Sequence, residues 1–200
     1  ATPEQKEMLR KAMWDGERHR TVETVAIAPQ ALAKIAGFEI PADRKFIMVH
    51  GDGIGKEHHF SGEKLTTLLA LYKYESFDQA LAMMRGVYEV GGKGHSCGIY
   101  SFDPDHVHRL AMAAPVSRIM VRQPQSKANA GAFNNGMPMT SSLGCGTWGG
   151  NIISENVHLK HYMNTTWVSV PIKEDKPSDE ELFGDFYDPA LEGVVETITT

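Results

Sequence analysis

The sequence predicts an α/β fold of three layers, a mainly parallel sheet flanked by helices. Three observations carry this. Short apolar runs and helix-period segments alternate between residues 45 and 123, an order that parallel strands joined by covering helices produce. Several of these helices are signposted by capping residues. Two hundred residues suffice for one domain that buries roughly 70% of its unfolded surface, so neither disulfides nor metals are required for a core.

The elements follow in order. Residues 2–14 read as a helix, with Thr2 as N-cap, Pro3 at the first helical position, Gln5 completing a capping box, and Met8, Leu9, Ala12 and Met13 at helical spacing. "APQALAKIAGF" (28–38) reads as a second helix, opened by Pro29 and stopped by Gly37. "KFIMVH" (45–50) predicts a buried strand and "LTTLLALYKY" (65–74) another. "SFDQALAMMRGVYEV" (76–90) predicts a helix with a capping box from Ser76 to Gln79. Strand 96–101, helix 104–114 and strand 117–123 complete the alternation. Residues 123–150, rich in Pro, Ser, Asn and Gly, predict a functional loop because they exceed an ordinary connection. A helix at 154–163 and a strand "TTWVSVPI" (165–172) are expected after it. The domain is read as residues 1–172, followed by an acidic tail at 173–200.

Charge is unevenly placed. The tail holds nine acids, Glu192 and Glu196 among them, against two lysines, whereas the whole chain carries −5. No basic stripe argues for nucleic acid, and no apolar run approaches the ~18 residues of a membrane span. Two cysteines, Cys97 and Cys145, form no disulfide framework and suit a reducing cytoplasm. A first residue Ala rather than Met suggests a chain cut from something longer.

Several stretches invite chemistry. "VHGDGIGKEHHF" (49–60) has the spacing G-x-G-x-G rather than G-x-G-x-x-G, and Glu57 stands where a phosphate loop needs Ser or Thr, so it reads as a turn. His58 and His59 are adjacent and lack a ligand pattern, so they read as surface residues and no metal site is expected. His95, between glycines and a strand, is either an acid/base group or a histidine satisfied by its own backbone. Glu63 is either a solvated strand-end charge or an acceptor for sugar hydroxyls. Cys97, two residues after His95, forms a possible thiol dyad with it. Cys145, between Gly144 and Gly146 with no base in its vicinity, reads as a small structural residue. Arg122, at a strand end before the long loop, offers a fork of donors suited to a carboxylate or sulfonate, with Lys127 nearby; the bland alternative is an exposed charge.

The stretch "LGCGTWGGNIISENVHLKH" (143–161) resembles the Gly-Cys-Gly-x-Trp-Gly-Gly-Asn signature of the CoA-acylating branch of the aldehyde dehydrogenase superfamily. "GGKGHSCGIYS" is similar to that family's Gly-x-Gly-His-Thr segment, "FSGEKLTTLLALY" to its Glu-Lys-Leu segment, and "APVSRIMVRQP" to the strand before its substrate loop. Together these cover about residues 1–172. The resemblance implies an enzyme that oxidises an aldehyde through a cysteine thioester with NAD or NADP, and releases the acyl group to coenzyme A. The family's nucleophile and cofactor domain lie upstream of the first helix seen here, so Cys145 matches the signature cysteine, which is not the nucleophile.

Carried over by position, the resemblance implies that His95 takes a proton from the CoA thiol. It places Glu63, with Leu65, at the nicotinamide nucleotide, and Gly144, Thr147 and Trp148 in the loop over the substrate. "EKLTT" lacks the Ser-Pro common after the leucine. Arg122 stands where acetaldehyde-type members often have Asn, which favours a small anionic aldehyde of the sulfoacetaldehyde or succinate-semialdehyde kind, bound by Arg122 and Lys127. The implied partners are the upstream half of the enzyme and, at full length, further copies of the chain. Two alternatives of other classes are an assembly module that adds "TTWVSVPI" to a neighbour's sheet, and a self-sufficient thiol enzyme built on Cys97 and His95.

Overall fold

The computed structural model describes residues 1–191. They divide into two units, one spanning residues 1–162 and the other beginning at Met163.

Helix α1 (Pro3–Met13) forms as its sequence dictates: Thr2 accepts from the Gln5 N–H and the Gln5 side chain returns to the Thr2 N–H. Helix α2 (Pro29–Ala36) ends at Gly37, whose φ of 93° only glycine adopts at low cost. The two helices pack Leu9, Met13, Leu32 and Ala33, all fully buried, against strand β1 (Ile47–His50) and strand β2 (Leu68–Leu71). These strands run parallel, Ile47 opposite Leu68 through His50 opposite Leu71. The run expected as a wholly buried strand instead alternates: Ile47 and Val49 are buried, Met48 and His50 exposed.

Helix α3 (Phe77–Val90) is capped by Ser76, but Gln79 reaches back to the Glu75 N–H rather than to the cap itself. Strand β3 (Cys97–Ile99), helix α4 (Pro104–Ala113) and strand β4 (Ile119–Val121) form a strand–helix–strand unit with parallel strands. Its smaller core is Leu81, Leu110, Ala114 and Val116. The fold is therefore α/β with parallel pairing, in two two-stranded ladders, β1–β2 and β3–β4.

Several further expectations need correction. The strand expected from residue 65 begins at Leu68, because Leu65 has a left-handed φ of 47° that breaks extended backbone. The helix expected at 154–163 is only a 3-10 turn at Leu159–Tyr162. The backbone of residues 153–157 is spent elsewhere: Gly144, Gly146 and Val157 N–H groups pair with Glu155, Ile153 and Ser142 carbonyls. Segment 165–172 forms no ladder among the described residues, and its apolar Trp167, Val168, Val170 and Ile172 are exposed. Within the acidic tail, α6 (Asp179–Phe183) carries a Ser178–Glu181 capping box; Glu192 and Glu196 of the tail lie outside the described residues.

His58 and His59 are half-buried rather than on the surface. The His59 ring meets the Trp14 ring edge-on at 5.4 Å, and burial pushes its pKa down. No helix among the described residues is long and apolar enough to cross a membrane.

Candidate active site

Glu63 and His95, thirty-two residues apart, face the same groove of about 600 Å³. Its walls come from Phe60–Lys64, from Leu69, Ala70 and Tyr72 at β2, from Val87 and Tyr88 of α3, and from Ser96 and Gln125. Both candidates precede their strands, so they sit at the amino ends of β2 and β3 respectively.

The Glu63 side of the groove is set by two half-buried cations. Lys64 donates to the Phe60 carbonyl at 2.9 Å and the Gly62 carbonyl at 2.7 Å, pulling the chain into a tight bend around Glu63. Burial, with the nearby Arg20 charge, holds the Lys64 pKa below its ordinary value. Arg20 in turn donates to the Lys64 carbonyl at 2.9 Å, to Thr24 and to Met13. Leu65 is exposed, does not line the groove, and offers its carbonyl to the Ala26 N–H. The Glu63 carboxylate therefore stands exposed on a bend whose backbone is pinned from behind.

The His95 side is equally constrained. His95 follows Gly94, whose φ is 86°. A Cβ on Gly94 would collide with the Cys145 carbonyl and lie 2.7 Å from the Gly149 nitrogen, so only glycine lets the two segments touch. The signature loop thus packs directly behind the histidine turn. That loop is held by Arg118, 5% exposed, whose guanidinium donates twice to the Gly144 carbonyl. The Asn151 side chain accepts from the Cys145 N–H, and Asn156 donates to the Asn129 and Pro138 carbonyls. Arg118 and Asn156 were not among the sequence candidates; an Arg inside an otherwise apolar strand run was the available signal.

Cys97 departs from nucleophile chemistry. Burial pushes the Cys97 thiol up to about 11, the opposite of an activated thiol. Cys97 also lines a different cavity from His95, beside Phe77, Leu81 and Leu110. The dyad that their spacing allowed is not formed. The Cys145 thiol rests against the Leu143 carbonyl at 3.8 Å.

The other candidates lie elsewhere. Arg122 follows β4 at its carboxyl end, whereas His95 is at the amino end of the neighbouring β3, roughly 10 Å of strand away. The exposed Arg122 guanidinium donates to the Ser101 carbonyl at 2.8 Å and lies 4.9 Å from the Phe102 ring centre. Lys127 is exposed on the short helix α5 (Gln125–Ala128), whose first residue lines the groove. Gly144 is buried, while Thr147 and Trp148 are exposed on a 3-10 turn of the signature loop.

No family model matches the chain. It is 39% identical over 186 residues to a sulfoacetaldehyde dehydrogenase of Acholeplasma sp, which covers 91% of this chain and 38% of that protein. It is 36% identical over 190 residues to a sulfoacetaldehyde dehydrogenase (acylating) of Bilophila wadsworthia, covering 93% of this chain and 41% of the relative. The crystal structure of an acetylating aldehyde dehydrogenase from Geobacillus thermoglucosidasius superposes with a TM-score of 0.80 at 31% identity, covering 89% of this chain and 39% of that one. The chain thus spans about two-fifths of the length of the relatives it matches.

Proposed function

Because the chain is homologous to the acylating aldehyde dehydrogenases over about nine-tenths of its length, we propose that it is the C-terminal catalytic part of an enzyme that oxidises a small anionic aldehyde to its acyl-CoA. The observation that carries this reading is the convergence of Glu63 and His95 on one groove, with the signature loop seated against the histidine turn. NAD or NADP supplies the hydride acceptor. An exposed carboxylate at a groove wall suits a ribose diol, which donates two O–H groups, and Glu63 is that carboxylate. Leu65 completes the same bend. His95 stands at the reacting centre, while Thr147 and Trp148, on the loop that Gly144 anchors, close over the substrate.

Residues 1–172 form the catalytic domain without its nucleophile segment and cofactor half, and 173–200 an acidic extension. The two strand pairs are portions of one mainly parallel sheet flanked by helices in a three-layer fold, and the groove between them is where an upstream segment bearing the nucleophilic cysteine enters. Sulfoacetaldehyde is the preferred substrate and succinate semialdehyde the alternative, since a sulfonate spreads its charge over three oxygens and a carboxylate over two. Arg122 gives one guanidinium N–H to the Ser101 carbonyl among the described residues, which leaves donors for such an anion, and Lys127 adds charge. The full-length enzyme is a cytoplasmic homo-oligomer.

The test is CoA-dependent reduction of NAD(P) with sulfoacetaldehyde, by this chain and by a longer one that restores the upstream half. Activity in the longer form alone is expected; turnover by the 200-residue chain overturns the assignment of the nucleophile to the upstream half. In the longer form, Arg122→Ala should raise KM for the anionic aldehyde about tenfold or more and leave that for propanal nearly unchanged, as loss of a charge-assisted bond would. An equal effect on both removes Arg122 from the substrate site.

A second reading rests on the exposed segment 165–172, which carries Trp167 and Ile172 without a partner strand among the described residues. It makes the chain an assembly module by strand addition. A monomer at every concentration in light scattering counts against it.

A further inference from the structure

We propose that a shell of Ser96, Gln125 and Asn129 fixes the proton of His95, so that its imidazole enters the groove as an Nε2–H hydrogen-bond donor. This rests on the reading of His95 as a group at the reacting centre and refines what it does there. Ser96 is 6% exposed, directly beneath the histidine. Its Oγ has three polar neighbours: His95 Nδ1 at 2.7 Å, Gln125 Nε2 at 2.9 Å and Asn129 Nδ2 at 3.3 Å.

The orientation of Gln125 is not free. The same Nε2 lies 2.9 Å from the Ser96 backbone carbonyl, which can only accept, so an amide N–H must stand there. Gln125 therefore donates to both Ser96 oxygens. The Tyr88 hydroxyl, 2.9 Å away, donates to that carbonyl as well. Asn129, 8% exposed, presents its amide to the hydroxyl from another side. A serine hydroxyl has one hydrogen to give, and among these three neighbours only His95 Nδ1 can take it at close range.

It follows that Nδ1 accepts and the neutral ring carries its hydrogen on Nε2. The other tautomer would aim Nδ1–H at an oxygen already receiving two donors, and leave the buried hydroxyl hydrogen without an acceptor. One unsatisfied buried group disfavours that arrangement by on the order of ten- to a hundredfold. A group whose groove-facing nitrogen already bears a hydrogen is poorly placed to take a proton from a thiol. It is well placed to donate to the substrate's carbonyl oxygen. Ser96, Gln125 and Asn129 are thus positioning residues that act through His95, as outer partners do for other histidines whose tautomer matters.

The test is long-range proton–nitrogen NMR on the 200-residue chain labelled at histidine. The unaltered chain should show His95 with an unprotonated-type Nδ1 and a protonated-type Nε2. Ser96→Ala should raise the Nδ1–H population several-fold, and Ser96→Thr, which restores the hydroxyl, should return it to the original value. An Nδ1–H imidazole in the unaltered chain overturns the proposal, as does an Nε2–H form unchanged by Ser96→Ala. If the longer chain shows no CoA-dependent reduction of NAD(P), the enzymatic reading fails, and the tautomer result stands or falls separately.

Discussion

At the scale of single residues, the sequence picked out two candidates but not what surrounds them. Glu63 and His95 were recognisable from their place among glycines and before strands, and they do share a groove. The Cys97–His95 dyad that the spacing allowed does not form, because an i, i+2 spacing implies a common face only on continuous strand and His95 lies before β3 begins. The Cys97 thiol is instead a buried packing group, and its raised pKa gives a signed prediction. The folded state keeps the proton up to about 11, while the unfolded chain releases it near 8.5. Its contribution is fully present below pH ~8.5 and is lost as pH rises through about 11. Thermal stability of the native chain should therefore fall between these limits more steeply than that of Cys97→Ala, and alkylation of Cys97 at pH 8 should be slow. Equal slopes would show that the thiol does not titrate between them. Gly94 makes a second prediction at this scale. Gly94→Ala meets backbone of the signature loop and a left-handed φ together, so it should cost roughly 2 kcal/mol or more in urea unfolding.

Elements whose signals are local were legible, and those whose partners are remote were not. Helices α1 and α3 begin where Thr2 and Ser76 cap them, because a cap needs only the next three residues. Ser76→Ala should destabilise the chain by about 1 kcal/mol, seen as a fall in Tm of roughly 2–4 °C; no change would mean that Gln79 and water satisfy the helix start. The expected helix at 154–163 failed for the opposite reason. Its apolar spacing was adequate, but the signature loop claims the Ile153 and Glu155 carbonyls and seats Asn156, 2% exposed, between Asn129 and Pro138. Nothing within those ten residues announces partners that lie upstream of the segment. In segment 123–150, read as a functional loop, Gln125 reaches the groove and the chain leads into the loop that packs on Gly94.

On the scale of the whole molecule, alternation of strands and helices revealed the α/β class, while the continuity of the sheet was beyond it. Each ladder has two strands, and an isolated pair is marginal unless something covers or extends it. The β1–β2 pair has a substantial core beneath it, with Leu9, Met13 and Leu32 at no exposure, whereas β3–β4 rests on four smaller buried contacts. If the upstream half of the proposed enzyme completes one sheet through the groove, the amide protons of Leu69–Leu71 and Cys97–Ile99 should exchange unequally in this chain, those of β3 the faster. In the longer chain they should become protected together, because they would then open only with the shared sheet. Urea unfolding of the longer chain should also show an m-value greater than the sum of its parts' local transitions predicts, as one cooperative unit exposes more surface at once. Hydrogen exchange that leaves the two ladders as unequal in the longer chain as in this one would mean that they belong to separate sheets. The groove holding Glu63 and His95 would then be a surface feature between independent ladders, and the proposed entry of the nucleophile there would fall with it.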